Sequence, residues 1–475
     1  MKFYLRMEAV NIIQFIADCE DLSTIRGGGL LLLDSPWRLK ERLSNLKPIS
    51  LGASAALFEF EAASSEEAKQ VRKDAEAFFN ADPELRHATF VVDVTLSTGD
   101  FLKDRETVLA KNRWRQMQSP TVAAPRSPSA LPCRIDKVRP GVHQENGEPV
   151  STSVQIRRKY GREQKQAFYQ RQANIPCPRF VNDFSKLTGD NSRGNLNHKM
   201  AVIHLDGNRF GEIQNVLCAS PESLQDFDHT LRRLRSGMLL ELIQQTASKG
   251  AWTDKNKDDE AGEHRIETLL WGGDEIIWVV PAWTGLWVLG FFFAHSASWR
   301  FPENDLGSRR LTHSGGVVFC HHKAPIHRIT QLAKALTGYA KAKAVADDHG
   351  PENAICYQIL ESFDHVGGSL EEMIEGRLPE GSPPSSFLLS GETIGQVMKA
   401  GRRLKELLPR NKVHAIARGF VRKKTETAKA AALAVQTLER ADKEAQNEFR
   451  GFVEKTGDER MAWVHLAELW DYFPE

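Results

Sequence analysis

The sequence predicts an α+β fold in which two ferredoxin-like units are joined by a linker and followed by a helical region. Three observations support this class. Residues 198–375 run in the order strand, helix, hairpin, helix, strand, with Gly272-Gly273-Asp274-Glu275 between two apolar runs. Residues 1–115 repeat that order. Residues 385–475 carry apolar side chains at helical spacing alone.

Composition narrows the classes of protein to consider. The 475 residues suffice for two or three domains with cores of their own. A net charge of +1 indicates neither a nucleic-acid nor a membrane partner. No apolar run approaches the roughly 20 residues that span a bilayer, and the residues after Met1 show no signal-peptide pattern. Six cysteines without a CxxC pair favour a reducing compartment, so we expect a cytoplasmic protein without membrane contact.

The first unit is predicted from a β-α-β-β-α-β order that is typical of ferredoxin-like domains. Apolar runs rich in β-formers alternate with helical patterns, and a serine at 64 or 65 is a candidate helix cap. The predicted elements are a strand from Phe3, a helix through Ile12 to Ile16 with an apolar continuation at Leu30 to Leu33, a hairpin from Ile49 to Phe60, a helix from Ser65 to Asn80 and a strand from Ala88 to Leu96.

Two glycine-containing segments of this unit are of interest. Arg26 and Gly27-Gly28-Gly29 could contact phosphates, since glycine-rich turns expose backbone N–H groups; a plain loop between helix and strand is the alternative. The hairpin tip Gly52-Ala53-Ser54-Ala55 takes the place that Gly272-Gly273-Asp274-Glu275 has in the second unit, but it holds no acid. We therefore expect no catalytic metal at the first tip.

The second unit presents two carboxylates at the ends of neighbouring strands. A buried-type strand, residues 201–205, ends in Asp206 and is followed by the flexible corner Gly207 to Gly211. Asp274 lies at the tip of the later hairpin. Carboxylates so placed can hold a pair of Mg²⁺ ions about 3.5–4 Å apart, which clamp a triphosphate and activate an attacking hydroxyl. Oxygen ligands suit such hard cations. The pattern therefore predicts metal-dependent chemistry on a nucleotide.

These stretches resemble two related families. One is the GGDEF diguanylate cyclases; the other, closer, is the second palm domain of the polymerase/cyclase large subunit of type III CRISPR effector complexes. The closer resemblance rests on two more stretches. Residues 313–319 look like that family's glycine-containing strand, and Lys323-Ala324-Pro325-Ile326 looks like its proline-started helix, which runs on to Lys341-Ala342-Lys343. The four stretches follow the family's order across residues 198–360.

The resemblance implies a nucleotide-polymerising site in the second palm. Asp206 and Asp274 are expected to bind Mg²⁺ or Mn²⁺ with the backbone of Gly207, and Glu275 to assist. Many relatives have an acid at the position of Asn208, so the amide puts metal binding there in question. The residues expected to bind the nucleotide are Gly207, Asn208, Arg209, Phe210, Gly272, Gly273, Ser314, Lys341 and Lys343.

Residues 116–197 are interpreted as a linker with a degenerate zinc-ribbon-like module. The family often carries a four-cysteine zinc module between its palms. Pro132 to Pro140 looks like half of such a ribbon in which Asp136 replaces the second cysteine, and Cys177 is the next cysteine along the chain. Four thiolate ligands are not evident, so a metal-free remnant is expected. The basic run 157–162 is interpreted as a solvated face, with an RNA or protein contact as the alternative.

The helical residues 385–475 resemble the family's C-terminal bundle, which packs against neighbouring subunits. Subunits of an RNA-guided complex, or a second copy of the chain, are therefore expected partners besides the NTP, with ATP the preferred substrate. The sequence has no His-Asp dipeptide, so the nuclease domain that many large subunits carry is not expected here.

The function implied is a cyclase that makes a cyclic oligonucleotide messenger from NTP in antiviral defence. Two alternatives stay open on sequence grounds. The palms could bind nucleotide or RNA as a silent scaffold in a CRISPR-type complex, or the chain could act alone as a mononucleotide or dinucleotide cyclase. Fold does not decide among these, because function belongs to the site.

Overall fold

The computed structural model describes residues 1–118, 131–176, 178–247, 250–254, 262–303, 307–344, 352–361, 369–421 and 424–474, and all statements below concern these residues. Among them no helix is long and apolar enough to cross a membrane.

The first palm is a ferredoxin-like domain, as predicted. Its four-stranded sheet has the order β2-β3-β1-β4, and β1 pairs antiparallel with both neighbours. The side chains of Asp21 and Ser64 cap the N-termini of α2 and α3 by accepting from backbone N–H groups. The elements are β1 (Lys2–Val10), α1 (Ile12–Ile16), α2 (Leu22–Arg42), β2 (Lys47–Leu51), β3 (Ala55–Glu61), α3 (Ser65–Ala81), β4 (Thr89–Leu96) and α4 (Phe101–Gln118).

The triple glycine is neither a loop nor a phosphate-binding corner, since all three residues lie inside α2. A Cβ on Gly27 would overlap the carbonyl of Arg157, and one on Gly29 would lie 2.7 Å from the carbonyl oxygen of Leu269. Glycine is tolerated in this helix because other backbones approach it closely, which offsets its poor helix propensity. Arg26 is buried in an ion pair and faces no solvent.

The segment between the palms is mainly helical and not an extended linker. Its elements are β5 (His143–Glu145), β6 (Glu148–Val150), α5 (Thr152–Ala173) and α6 (Phe184–Thr188). Helix α5 packs along α2, and Gly161 gives room for this close approach. The basic run is a solvated face only in part: Lys159 and Arg162 are exposed, whereas Arg157 is fully buried and pairs with Asp18 at 2.8 Å. Arg158 pairs with Asp21 at 3.1 Å.

The ribbon-like turn is closed by hydrogen bonds. Asp136 accepts from the N–H groups of Val138 and Arg139 and from the hydroxyl of Ser151 at 2.8–3.0 Å. Cys133 is buried and free. Cys177 lies outside the described residues, as do residues 119–130 of the predicted linker. The zinc-ribbon comparison therefore stays a prediction.

The second palm holds a six-stranded sheet in the order β10-β11-β7-β14-β15-β16. Its first four strands reproduce the ferredoxin-like order, and β15 joins parallel to β14. The elements are β7 (Lys199–Gly207), α7 (Phe210–Leu217), α8 (Pro221–Thr246), β8 (Thr253–Asp254), β9 (Glu263–His264), β10 (Glu267–Gly272), β11 (Glu275–Pro281), α9 (Gly285–Ser296), β12 (Arg300–Phe301), β13 (Arg309–Arg310), β14 (His313–His321), α10 (Ile326–Ala344), β15 (Ala354–Ile359), α11 (Leu370–Glu375) and β16 (Leu389–Ser390).

A C-terminal bundle of helices follows, as predicted. Helix α12 packs on α9 of the second palm, and Gly401 faces the ring of Phe473 so closely that a Cβ there would lie 2.5 Å from it. The helices are α12 (Ile394–Leu407), α13 (Arg410–Val421), α14 (Lys424–Arg440), α15 (Lys443–Thr456) and α16 (Glu459–Glu468).

Candidate active site

Strand pairing brings the two predicted metal ligands together. Strand β11 runs antiparallel to β7 with Ile276 opposite Leu205. Two residues further along this ladder, the N–H of Gly207 donates to the carbonyl of Asp274 at 3.2 Å. A Cβ on Gly207 would lie 2.8 Å from the Cβ of Asp274. The glycine after Asp206 therefore leaves room for Asp274, and Asp206 near the end of β7 and Asp274 in the turn before β11 lie at the same edge of the sheet.

The two carboxylates repel one another. Burial and, after it, the negative charge of Asp206 together raise the pKa of Asp274 to about 6. Lys341 partly offsets this repulsion, because its Nζ donates to the carboxylate of Asp206 and, at 2.7 Å, to the carbonyl of Gly207. The site thus consists of two acids, and the ammonium of Lys341 is hydrogen-bonded to the carboxylate of Asp206 and the carbonyl of Gly207.

These oxygens suit a hard cation. The carboxylate of Asp206 and the carbonyl of Gly207 already bind one positive group, and Asp274 adds a carboxylate beside them. Mg²⁺ is commonly held by one or two carboxylates together with water and substrate phosphates. Two carboxylates and one carbonyl therefore fit a cation that takes its remaining ligands from water and phosphates. Among the described residues no group of three or more His, Cys, Asp or Glu could hold a metal.

Glu275 is engaged elsewhere. Its Oε1 accepts from Nε2 of His204 at 2.8 Å and from Nζ of Lys334 at 2.5 Å. Although burial opposes it, the hydrogen bond from His204 and the charge of Lys334 lower the pKa of Glu275 to about 2. His204 also contacts the hydroxyl of Thr337 at 2.7 Å. Glu275 therefore ties the β10–β11 hairpin to α10.

Asn208 and Ser314 face the protein interior. The amide of Asn208 donates to the carbonyl of Glu352 at 3.1 Å and to the hydroxyl of Thr312 at 3.3 Å. Its oxygen accepts from the hydroxyl of Ser314 at 2.9 Å. Both residues are buried. Their side chains hold the β7 corner to β14 and are not presented to a nucleotide.

The other predicted nucleotide-binding residues lie in turns, in the core or on the surface of α10. Arg209 is in the left-handed region with φ 56° and begins α7. Phe210 is buried, and its ring packs edge-on against Phe227 and His313. Gly273 has φ 56° and forms the hairpin turn. Lys343 lies over the ring of Tyr339 at 5.7 Å, away from the acid pair. Of the two predicted lysines, only Lys341 reaches the acids.

The tip of the first palm contacts the catalytic hairpin. A Cβ on Gly272 would overlap the Cβ of Ala53 and lie 2.8 Å from its Cα. A mainly apolar cavity of about 230 Å³ lies beside this contact, lined by residues of both palms that include Ser54, Glu275 and Lys334. The two palms therefore meet directly at the predicted site.

Three residues that the sequence did not indicate belong to this region. Lys334 and His204 hold Glu275. The guanidinium of Arg235 on α8 is buried, stacks 5.4 Å from the ring of Trp271, and its Nε and Nη1 have no hydrogen-bond partner among the described residues. Burial lowers the pKa of Arg235 to about 10. One signal was available for Lys334, since it lies two turns before Lys341 on the same helix face.

Comparison with known proteins supports this description. Residues 199–349 match the family model described as Cas10/Cmr2, second palm domain. Similar solved structures include a Csm1-Csm4 cassette in complex with cA4, with 14% identity over 99% of this chain and 70% of that chain at a TM-score of 0.57. The cassette in complex with AMPPNP is 14% identical, covers 99% of this chain and 69% of that chain, and has a TM-score of 0.56. Csm1 of T. onnurineus is 13% identical, covers 100% of this chain and 70% of that chain, and has a TM-score of 0.51.

At such identities these structures show the fold alone: paired palm domains with a helical C-terminal region. The predicted resemblance to the large subunit of type III CRISPR complexes is confirmed. No curated protein matches the chain.

Proposed function

We propose that this chain is a Mg²⁺- or Mn²⁺-dependent nucleotidyltransferase that joins NTP, with ATP the first candidate, into a cyclic oligoadenylate for antiviral signalling. The observation that carries the proposal is the adjacency of Asp206 and Asp274 at one sheet edge with Lys341 on the same oxygens. The match to the Cas10/Cmr2 second palm and the cA4- and AMPPNP-bound Csm1 structures support it.

The residues of the chain would act mainly by positioning and charge neutralisation. Asp206, Asp274 and the carbonyl of Gly207 would hold the divalent cation, which supplies Lewis-acid neutralisation of the triphosphate. Lys341 would move from Asp206 to the phosphates. A ribose 3′-hydroxyl then bonds to the α-phosphorus of a neighbouring NTP, the bond to the β-phosphate oxygen breaks, and pyrophosphate and a proton leave. Repetition and a closing step of the same kind would give the ring.

The first palm would complete the site by holding the acceptor nucleotide. Joining two nucleotides requires a second cradle opposite the donor, with the hydroxyl about 3–3.5 Å from the phosphorus. The contact of Ala53 with Gly272 and the shared cavity beside Glu275 support this arrangement. The acceptor would lie at the open tip Gly52-Ala53-Ser54-Ala55. The triple glycine inside α2 has no part in it, because other backbones cover it.

Protein partners are proposed from the same comparisons. Csm1 was crystallised in a cassette with Csm4. A Csm4-like subunit of a type III complex is therefore the first partner to test for this chain, ahead of self-association.

A catalytically silent scaffold is the second candidate. It is favoured by one observation: the ammonium of Lys341 already pairs with the carboxylate of Asp206, where the proposed cation would bind. In that case the palms would bind nucleotide without turning it over. A cyclase of one or two nucleotides acting alone is distinguished from both by its product.

The test is incubation of the purified chain with each α-³²P-labelled NTP and Mg²⁺ or Mn²⁺, alone and with a Csm4-like subunit. Cyclic products longer than two nucleotides that disappear in Asp274→Asn support the proposal. Nucleotide binding by calorimetry without any product, under all of these conditions, supports the scaffold. Cyclic mono- or dinucleotide as the final product supports the stand-alone cyclase.

A further inference from the structure

The strand that leads into the catalytic tip is contacted by the first palm along its whole length. At the start of β10, Glu267 pairs with Arg26 of α2. In its middle, the carbonyl of Leu269 faces Gly29 of the same helix. At its end, Gly272 contacts Ala53. The position of Asp274, two residues on, is therefore set against the first palm as well as against its own sheet.

The contact at the start of β10 is a buried network of three charges. Nε and Nη2 of Arg26 donate to the two carboxylate oxygens of Glu267 at 2.6 Å each. Nζ of Lys165, on α5, donates to the same carboxylate at 2.7 Å. Arg26, Lys165 and Glu267 are only 2%, 3% and 1% exposed. One acid thus joins a helix of the first palm, the connecting helix and the catalytic hairpin.

Stability alone does not explain this network. Buried charges lose hydration, and well-packed apolar residues of similar volume are often as stabilising or more so. Its geometry is specific, however, because a two-pronged guanidinium–carboxylate pair fixes both distance and angle. Polar networks of this kind are retained in some proteins to select one register.

The hairpin ladder is interrupted beside Glu267. The pairing of β10 with β11 shifts between Thr268 and Leu270, directly after Glu267. Beyond the shift, Leu270 to Gly272 pair regularly with Ile277 to Glu275, so the turn sets the register at the tip. A bulge disrupts the ladder locally and bends its strand, and Glu267, on the far side of this one, is bonded to the first palm and to the connecting helix.

We propose that Glu267 is a positioning residue, which through Arg26 and Lys165 holds the bulged start of β10 against the first palm and the connecting helix and so places Asp274 beside Asp206. The inference rests on the proposed nucleotidyltransferase function for its activity readout, but its structural readout is independent of it. On this proposal, the first palm supports the site through Arg26, a residue that contacts no nucleotide.

Two variants test this. The triple replacement Arg26→Met, Lys165→Met, Glu267→Leu removes the charges and keeps the volume. Arg26→Lys keeps charge and burial but loses the two-pronged geometry. Asp93→Asn is the control, since Asp93 of β4 forms a two-pronged pair with Arg115 of α4, away from β10. Each is compared with the parent by thermal unfolding, hydrogen exchange of peptides covering 266–281, Mn²⁺ binding with a non-hydrolysable ATP analogue, and turnover.

The expected result is a folded triple variant whose hairpin peptides exchange about tenfold faster than the parent's, with weaker Mn²⁺ binding. Turnover should fall about 100-fold, the effect of a misplacement of about 1 Å. Arg26→Lys should likewise speed the exchange of the hairpin peptides and weaken Mn²⁺ binding. Asp93→Asn should change neither of these. Parental hairpin exchange in Arg26→Lys and in the triple variant would overturn the proposal. If the parent itself makes no product, the proposed function fails, while exchange and Mn²⁺ binding still decide the role of Glu267.

Discussion

Ala53 of the first palm and Gly272 of the second are in contact, and no side chain fits on Gly272 because its Cβ would overlap that of Ala53. The first glycine of the Gly-Gly-Asp-Glu tip is thus required by the opposite palm, while Gly273, at φ 56°, is required by the turn. Gly272 therefore belongs both to the contact between the two palms and to the Gly-Gly-Asp-Glu tip.

Gly272→Ala should therefore impair the site without changing any acid. The added methyl group must push the two tips apart, at a cost of about 1–3 kcal/mol in unfolding free energy, and most NTP turnover should be lost. Chemical denaturation and product formation measure the two effects. Gly211→Ala on α7 is the control, because a Cβ there meets nothing within 4 Å. Parental turnover in Gly272→Ala would show that the contact is not needed.

Ala53→Trp tests the same contact from the first palm. The indole must displace the catalytic hairpin or fill the shared cavity beside Glu275, which is about 230 Å³. We expect loss of product with a melting temperature near the parent's, since the tip is at a domain boundary and not in a core. A folded variant that makes product at the parental rate would remove the first palm from the proposed site.

Asp274→Asn should abolish nearly all turnover and leave the fold intact. Because Asp206 and burial raise the pKa of Asp274 to about 6, removing its charge relieves repulsion in the metal-free protein. The melting temperature should stay equal or rise slightly. Calorimetric Mg²⁺ binding with nucleotide should be lost together with turnover. Glu212→Gln, an exposed acid on α7, is the control. Retained turnover would move the site elsewhere.

Asn208→Asp should destabilise the protein and not raise its activity. A carboxylate cannot donate to the carbonyl of Glu352, which Asn208 now satisfies, and leaving buried groups unpaired costs about 1–3 kcal/mol. The new charge would also lie one residue from Gly207. Denaturation and turnover check both statements, with the exposed Asn215→Asp as control. Higher activity in Asn208→Asp would mean that the amide weakens a metal site.

Stability should fall in mild acid, in part through His465 of α16. Burial lowers the pKa of His465 from 6.5 to about 4. The unfolded chain therefore binds one more proton than the folded chain between these pH values, and the unfolding free energy falls by about 1.4 kcal/mol per pH unit as the pH decreases. His465→Gln should flatten the slope between pH 6.5 and 4.5. The exposed His229→Gln is the control variant, and an unchanged slope in His465→Gln would contradict the assignment.

The sequence by itself determined the features that depend on short-range pattern. Alternation of β-formers and turn residues predicted the hairpin around Asp274, and a buried-type strand ending in an acid predicted the place of Asp206. Helical spacing predicted the C-terminal bundle, and the family resemblance predicted α10. These predictions succeed because turn chemistry and apolar periodicity are local properties, and strand order then brings Asp206 and Asp274 to one edge of the sheet.

Tertiary structure decided everything that depends on which faces meet. Arg26 and Glu267 are 241 residues apart in sequence, and nothing in either neighbourhood predicts their pairing. The triple glycine reads as a loop until the backbones of α5 and β10 are packed against it. Arg157 reads as solvated until Asp18 pairs with it. In each case a local propensity was outweighed by burial against a distant partner, and a single sequence carries no record of that partner.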